Sequence, residues 1–308
     1  MSAPRWPDLF VVGAGRSGTT ALHDFLGAHP NVRVSDHKSP NYFATGIPQP
    51  TWETQTAMTM SRRWVTGQDQ YLDLFAGASA GDLLADVSPV YLQATAVAER
   101  VHAANPEARI VAILRDPADR AHAHFLGRRR DGIETTPDFG RWLDRMETSG
   151  WLDRPEPAVA FGHYVDCGRY HHFLRPYLDR FGTDRVLIVF YEDFASDNGA
   201  VIDRLLAFAG LPAHPDRARL SRNDRPNRTG EIRSPVLRRL WTASVSSRTR
   251  VRPLLPERLR RAVGRRVLAD LDRTPMRPEW RARVVEVLAD DIAQLEQLTG
   301  RDLSTWRA

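Results

Sequence analysis

The sequence predicts an α/β protein in which helices cover both faces of a mostly parallel sheet of about five strands, giving three layers. The first observation is that short apolar segments alternate along the chain with segments of helical periodicity. The second is that three of these segments, 9–12, 109–114 and 185–191, are apolar almost throughout. Such runs are typical of parallel strands buried on both faces. With 308 residues, the chain is long enough to bury a core without disulfides or metals.

The chain opens with a strand, a glycine-rich loop and a helix. The apolar segment 9–12 ends at Gly13, and the loop 13–20 reads Gly-Ala-Gly-Arg-Ser-Gly-Thr-Thr. Apolar residues then recur at helical spacing until His29 and Pro30, where we expect the helix to end. This order is typical of the start of a βαβ unit.

The same alternation continues along the chain to residue 210. Pro117 suits the first turn of a helix, where a missing N–H costs least. Residues 44–81 are irregular, so we interpret them as a cap over a site or as a surface excursion. We predict strands at 83–87, 109–114 and 185–191 and helices at 91–104, 117–130, 138–150, 168–181 and 197–209.

We expect a single domain over 1–308, with a core at 9–210 and a helical, basic C-terminal extension at 211–308. Residues 233–266 include eleven arginines and one acidic residue, with apolar residues between them. This pattern predicts basic amphipathic helices interrupted by two prolines. They form either a solvated outer layer or a surface for an anionic acceptor, carrier or membrane headgroup.

Composition excludes several classes of protein. No apolar run approaches the ~20 residues of a transmembrane helix, and residues 1–7 lack the charged and apolar regions of a secretory signal. Cys167, the only cysteine, excludes internal disulfides, a thiolate-rich zinc site and a cysteine-bound iron–sulfur cluster. We therefore expect a cytoplasmic protein without a metal. The net charge of +5 is mild and no base-reading motif accompanies it, so we expect no nucleic-acid partner.

The glycine loop has the features of an anion-binding loop. Backbone N–H groups at a helix N-terminus carry partial positive charge, and glycines let a phosphate approach them. ATP-binding P-loops read G-x-x-x-x-G-K-[ST]; Gly13 and Gly18 match this pattern, but Thr19 occupies the lysine position. A P-loop-like turn without that lysine suits one 5′-phosphate carrying a transferable group better than a triphosphate. Arg16 supplies a cation within the loop.

Three segments resemble the motifs of sulfotransferases that use 3′-phosphoadenosine 5′-phosphosulfate (PAPS), in particular the bacterial and Golgi carbohydrate-type branch. Residues 10–22, Phe-Val-Val-Gly-Ala-Gly-Arg-Ser-Gly-Thr-Thr-Ala-Leu, resemble the 5′-phosphosulfate loop of that family. Residues 113–121, Ile-Leu-Arg-Asp-Pro-Ala-Asp-Arg-Ala, resemble its 3′-phosphate block, and 168–193 resemble its G-x-Y helix, apolar strand and Y-E-D. The resemblance spans 9–210 in the expected order.

The resemblance implies that PAPS is the sulfuryl donor and that no metal is needed. Arg115 would bind the 3′-phosphate, at the carboxyl end of a parallel strand where such sheets place ligands. The family serine eight residues later is Ala123 here, so we expect either weaker PAPS binding or compensation by Arg120, Arg228 or Arg233. The residues implied to bind PAPS are Arg16, Ser17, Gly18, Thr19, Thr20, Arg115 and, on a weak match, Arg233.

The proton acceptor is the open question. Lys38, the only lysine, begins a segment resembling the family's K-E-x-[HN]-[FY]-F, but Ser39 replaces the glutamate expected to be the base. We favour Asp86 over His37 as the base, with His122 or His124 as weaker candidates. The catalytic residues implied are Lys38, which would contact the sulfuryl or bridging oxygen, with Arg16 and either Asp86 or His37.

The sequence thus predicts sulfuryl transfer from PAPS to a hydroxyl, less readily an amine, of a small molecule, glycan or glycolipid. One alternative is a P-loop kinase or NTPase, against which Thr19 in the lysine position argues. The other is a degenerate sulfotransferase fold that binds a nucleotide without turnover, for which Ser39 and Ala123 argue.

Overall fold

Five parallel strands form the central sheet. The computed structural model describes residues 5–45, 64–94, 96–131, 133–151, 163–215, 231–232, 234, 271–272 and 275–308. The strands are β1 (Leu9–Gly13), β2 (Val32–Val34), β3 (Leu83–Val87), β4 (Arg109–Leu114) and β5 (Val186–Phe190), in the order β2-β3-β1-β4-β5. In the register of the central strand β1, Leu9 lies opposite Ala85 of β3 and Arg109 of β4. The predicted parallel sheet of five strands is confirmed.

Helices connect the strands and cover the sheet. They are α1 (Thr19–Ala28), α2 (Gln68–Asp73), α3 (Ala96–Ala104), α4 (Pro117–Arg130), α5 (Phe139–Thr148), α6 (Tyr170–Phe181), α7 (Tyr191–Ser196), α8 (Asn198–Ala209), α9 (Pro278–Thr299) and α10 (Ser304–Arg307). Single 3-10 turns lie at Tyr42–Ala44, Tyr91–Gln93, Asp166–Gly168 and Thr183–Arg185. Two short antiparallel strands, β6 (Glu231–Ile232) and β7 (Leu271–Asp272), form a separate pair.

Each face of the sheet carries its own hydrophobic core, because side chains alternate along a strand. Leu9 and Val11 pack on one face with residues of α1 and α8, such as Leu22 and Leu205. Phe10 and Val12 face the larger core on the other side, which includes residues of α3, α4, α5, α6 and α9. Both faces are therefore covered, as the continuous apolar runs predicted.

The C-terminal helix α9 belongs to the larger core. Trp280, Val284, Leu288, Ile292 and Leu295 are buried at spacings of three and four residues, so one face of the helix packs inward. The predicted helical extension is confirmed by this helix. The basic stretch 233–266 lies outside the described residues except for position 234.

The carboxylate of Asp291, on the same helix, fixes α9 against α6. Its two oxygens accept hydrogen bonds from the backbone N–H groups of His171 and His172, each at 3.0 Å. These N–H groups lie in the first turn of α6 and lack intrahelical acceptors, so the carboxylate caps that helix from a distant part of the chain.

Several elements differ from the sequence-based expectation, among them β2, α2 and α7. The strand β2 was not predicted, because three residues are too few to show a pattern. The segment 44–81 contains the helix α2, while residues 46–63 lie outside the described residues. Within the part of the chain that the structure describes, no helix combines the length and apolarity needed to cross a bilayer.

Candidate active site

The predicted site residues lie near the carboxyl edge of the sheet. The glycine loop follows β1, Asp86 is the second-to-last residue of β3, and Arg115 directly follows β4. From β1 the chain passes to β2 and β3 on one side and then to β4 and β5 on the other. The carboxyl ends of β1 and β4 therefore flank a topological switch point, where open α/β sheets bind ligands.

The glycine loop is held by backbone hydrogen bonds. The Ala14 N–H donates to the Ile113 carbonyl of β4 at 2.7 Å, and the Ser17 N–H donates to the Ala14 carbonyl at 3.2 Å. Gly18 precedes α1 with a φ of 95°, in the left-handed region that favours glycine. A side chain at this position would also meet the Tyr191 ring at 3.3 Å. This turn is therefore specific for glycine.

The loop and the start of α1 fit a phosphate group. No side chain of the described residues caps α1, and the first N–H groups of a helix have no intrahelical acceptor. The Ser17 hydroxyl is buried without a hydrogen-bond partner among the described residues. Apart from its two chain neighbours, no atom of the described residues lies within 4 Å of where a Gly15 side chain would begin. Open space, an uncapped helix and an unsatisfied hydroxyl form a cradle for an anion.

The Arg16 side chain lies on the α4 side of this loop. Its backbone has a φ of 72°, and its guanidinium packs so closely against Gly127 that a side chain there would overlap it. Burial lowers the pKa of Arg16 to about 10; Arg130 lowers it further and Asp131 opposes the shift. The cation predicted within the loop is therefore directed toward α4.

The side chain of Lys38 reaches the start of α1. Its ammonium donates a hydrogen bond to the Thr20 hydroxyl. Burial lowers the pKa of Lys38, the Asp24 carboxylate opposes this shift, and the Arg16 cation adds to it. The structure thus brings Lys38, Thr20 and the open end of α1 together.

Asp86 is enclosed by three hydroxyl groups. Its side chain has no exposed surface. One carboxylate oxygen accepts hydrogen bonds from Tyr71 at 2.7 Å and Tyr91 at 2.9 Å, and the other accepts one from Ser88 at 2.7 Å. Burial raises the pKa of Asp86 to about 6, and these three hydrogen bonds oppose the shift.

The same hydroxyls hold the segment that carries Lys38. The Asn41 N–H donates to the Ser88 hydroxyl at 3.2 Å, and the Phe43 N–H donates to the Tyr91 hydroxyl at 3.3 Å. Asp86 therefore holds this segment indirectly, through the hydroxyls of Ser88 and Tyr91. The partners Tyr71 and Tyr91 were not predicted from the sequence, where neither belongs to a motif.

The candidate histidines differ in their surroundings. His37 is half-buried, and its Nδ1 has no hydrogen-bond partner among the described residues. Burial and the Arg115 cation lower the pKa of His122 to about 4. Burial and the Arg128 cation place the pKa of His124 well below its usual range. Both shifts favour the neutral imidazole.

Arg115 places a second guanidinium beside the loop. Its guanidinium lies over the Tyr191 ring at 4.9 Å and contacts the Arg16 carbonyl at 3.4 Å. Asp119 is 3.7 Å away, a long ion pair that leaves the guanidinium available. The Tyr170 hydroxyl donates to the Arg115 carbonyl at 2.8 Å. The backbone of this arginine is therefore fixed.

Of the three arginines considered as compensation for Ala123, the structure describes only Arg120. Arg120 is fully buried and donates to the Tyr164 carbonyl, while its Nε and Nη1 have no partner among the described residues. It has no surface through which a ligand from solvent would reach it. Arg228 and Arg233 lie outside the residues whose side chains are described. Ala123 itself is nearly buried on α4.

A further residue next to Arg115 was missed by sequence reasoning. Arg281 of α9 donates to the Asp116 carboxylate at 2.6 Å, across 165 positions of sequence. No motif includes it, so only the packing of α9 reveals it. In the described part of the chain, no cluster of His, Cys, Asp or Glu is arranged to hold a metal ion.

A profile of the Sulfotransferase family matches residues 7–216, more than half of the chain, and the chain belongs to this family. The crystal structure of a sulfotransferase from Alicyclobacillus acidocaldarius is similar over 98% of this chain and 99% of that chain, with a TM-score of 0.69 and 25% identity. The structural similarity and the family profile therefore indicate the same family.

Curated relatives include two classes of heparan sulfate enzyme. The bifunctional heparan sulfate N-deacetylase/N-sulfotransferase 2 of Bos taurus is 26% identical over 71% of this chain and 24% of its own length. The heparan sulfate glucosamine 3-O-sulfotransferase 3B1 of Mus musculus is 26% identical over 67% of this chain and 46% of its own length. The chain thus spans between a quarter and a half of these relatives.

Proposed function

We propose that the protein transfers a sulfuryl group from PAPS to a hydroxyl, less readily an amine, of a small molecule, glycan or glycolipid. The observation that carries this proposal is the pair of anion-binding positions at one edge of the sheet, the open start of α1 and Arg115. PAPS has two separate anionic groups, at opposite ends of its ribose, and it supplies an activated sulfuryl group. Two adjacent positions, one for each group, fit it better than a nucleoside triphosphate.

The roles of the residues follow from their positions. The N–H groups of the loop, with the hydroxyls of Ser17, Thr19 and Thr20, would hold the 5′-phosphosulfate. Lys38, hydrogen-bonded to Thr20, would neutralise the charge that develops on the bridging oxygen. Arg115 would pair with the 3′-phosphate. The role of Arg233 stays a prediction.

Two candidates remain for the acceptor's proton. The pKa of Asp86, about 6, suits a general base near neutral pH. However, this carboxylate already accepts hydrogen bonds from three hydroxyls. These bonds support a role for Asp86 in holding the Lys38 segment. His37 has a free Nδ1 among the described residues and lies next to Lys38. We retain both residues as candidates for the base. A base other than the family glutamate is needed because Ser39 occupies that position.

The names of the relatives support a glycan acceptor among the three classes proposed. Both of those relatives are described as enzymes of heparan sulfate, one modifying nitrogen and the other oxygen. A degenerate, non-catalytic fold is the second candidate, favoured by Ser39 and Ala123. It would bind the nucleotide without turnover.

Calorimetric titration with adenosine 3′,5′-bisphosphate, the desulfonated form of PAPS, tests the donor site. We expect micromolar binding that weakens with AMP, which lacks the 3′-phosphate, and with the Arg115→Ala variant. Preferred binding of ATP, or no binding of the bisphosphate, would overturn the proposal. Binding without turnover on hydroxyl or amine glycans would favour the non-catalytic candidate.

A further inference from the structure

The acidic residues around Arg115 would weaken an anion site if they were left unpaired. Asp116 precedes α4 as its N-cap, Asp119 lies in the first turn of that helix, and Glu192 lies at the start of α7. The Glu192 carboxylate accepts the Asp116 N–H at 2.9 Å, and Asp119 is 3.7 Å from the Arg115 guanidinium. A dianionic phosphate brought to Arg115 would meet these three carboxylates at short range.

Arg281 of α9 neutralises two of them. Its Nη2 is 2.6 Å from one Asp116 oxygen, and its Nη1 is 3.6 Å from Asp119. The second Asp116 oxygen accepts the N–H groups of Ala118 and Asp119 at 2.9 and 3.0 Å and so caps α4. Asp119 is therefore shared between two guanidiniums, one on each side.

The C-terminal residues hold Arg281 in this position. Its Nη2 contacts the carbonyls of Thr305 and Trp306 at 3.2 Å, and its Nε donates to the Ala308 carbonyl at 2.6 Å. The buried Trp306 ring packs edge-on against Tyr170, whose hydroxyl holds the Arg115 carbonyl. One structural unit therefore fixes both the backbone of Arg115 and the charges beside its side chain.

We propose that Arg281 is a positioning residue for the 3′-phosphate site: by binding Asp116 and Asp119 it keeps Arg115 available to the phosphate. The inference rests on the proposed function, because it takes the 3′-phosphate as the ligand of Arg115. Arg281 lies beyond residues 7–216, which match the family profile. Without it, Asp119 would close its long ion pair with Arg115 and compete with the phosphate.

The test compares two probes, adenosine 3′,5′-bisphosphate and AMP, by calorimetry at constant ionic strength. In Arg281→Gln we expect the bisphosphate to bind roughly 5- to 20-fold more weakly, the size of a partly screened charge interaction, while AMP binding changes less than about twofold. A purely structural loss would weaken both probes alike. Arg281→Lys retains the charge and should restore part of the difference.

Arg283→Gln is the matched control. Arg283 lies on the same helix, but its ion pairs are with Asp144 and Glu147 of α5, away from Arg115. Its removal should leave the ratio of the two dissociation constants unchanged. Asp119→Asn, added to Arg281→Gln, should restore bisphosphate binding, because the competing carboxylate is gone.

The outcomes of these titrations distinguish the inference about Arg281 from the proposed function. An unchanged ratio in Arg281→Gln, or failure of Asp119→Asn to restore binding, would overturn this inference while leaving the proposed function intact. If Arg281→Gln does not fold, the same comparison is made in Arg281→Lys, where we expect a smaller weakening of bisphosphate binding that Asp119→Asn removes, and an unchanged ratio there would overturn the inference. Absence of bisphosphate binding by the unaltered protein would instead overturn the proposed function.

Discussion

Two roles are open to Asp86, the buried carboxylate near the carboxyl edge of the sheet, and they make different physical demands on it. As a base, Asp86 must exchange a proton with an acceptor; as an anchor, it must keep its three hydroxyl partners. The structure encloses it completely, and its partners Ser88 and Tyr91 in turn bind the segment after Lys38. An unpaired buried charge is costly, so the hydroxyls Tyr71, Tyr91 and Ser88 are what allow this carboxylate to be buried.

This burial predicts a dependence of stability on pH. The pKa of Asp86, about 6 in the folded protein, exceeds the usual ~3.9 of aspartate. The folded state therefore binds more protons between these values. The free energy of unfolding should fall as pH rises from ~4 to ~6, by on the order of 2 kcal/mol for this group. Asp86→Asn should lack this contribution, as measured by urea unfolding across that range.

Two variants sharpen the measurement. Tyr71→Phe removes one of the hydrogen bonds that oppose the raised pKa, so the fall should extend to higher pH. Asp36→Asn, at an exposed aspartate, should follow the unaltered protein. Equal pH slopes for the unaltered protein and Asp86→Asn would contradict the assignment.

At the scale of elements, the start of α4 is a crowded junction. Gly168, at the end of a 3-10 turn, lies between Pro117 at the start of α4 and Leu288 of α9. A side chain there would meet the Pro117 ring at 2.8 Å and the Leu288 methyl at 2.9 Å. Because the backbone of a helix start cannot easily move aside, this contact fixes how α9 approaches the start of α4, two residues after Arg115.

Gly168→Ala should therefore destabilise the protein by about 1–3 kcal/mol through overpacking. Gly81→Ala is the matched control, since no atom lies within 4 Å of its added carbon. It should stay within about 0.5 kcal/mol of the unaltered protein. Thermal unfolding of both variants measures the difference, and equal stabilities would show that the junction adapts.

The sequence predicted the elements whose patterns are local. Strands β3 and β4 were placed at their observed bounds, and β5 within one residue at each end, because continuous apolar runs leave few alternatives. A helical C-terminal extension was predicted, but the bounds of α9 were not, although Trp280, Val284 and Leu288 recur at helical spacing.

The sequence predicted those residues of the candidate site that belong to contiguous motifs. The loop and Arg115 belong to contiguous motifs, and the structure brings Lys38 to Thr20, as the motifs implied. The contacts of Arg281 with Asp116 cross 165 positions, and no local pattern encodes them. Such pairings depend on how the helices and strands pack against one another. The residue types and their spacing in the sequence do not determine that packing.

For the whole molecule, the question is whether the C-terminal helix is an appendage or part of one cooperative unit. Its buried residues Trp280, Val284 and Leu288 belong to the same hydrophobic core as Phe10 and Ile110 of the sheet. A core shared in this way predicts that the nucleotide-binding half and the C-terminal helix unfold together. A separate extension would unfold in a transition of its own.

Leu288→Ala tests this prediction, because it removes a fully buried side chain of α9. We expect a loss of about 2–4 kcal/mol, with helix content and tryptophan fluorescence still changing in a single urea transition. Leu298→Ala, on the same helix but 37% exposed, should cost less than about 1 kcal/mol. Two separate transitions in Leu288→Ala would mean that the core at 9–210 folds without α9, and that Arg281 is supplied to the 3′-phosphate site only when the helix docks.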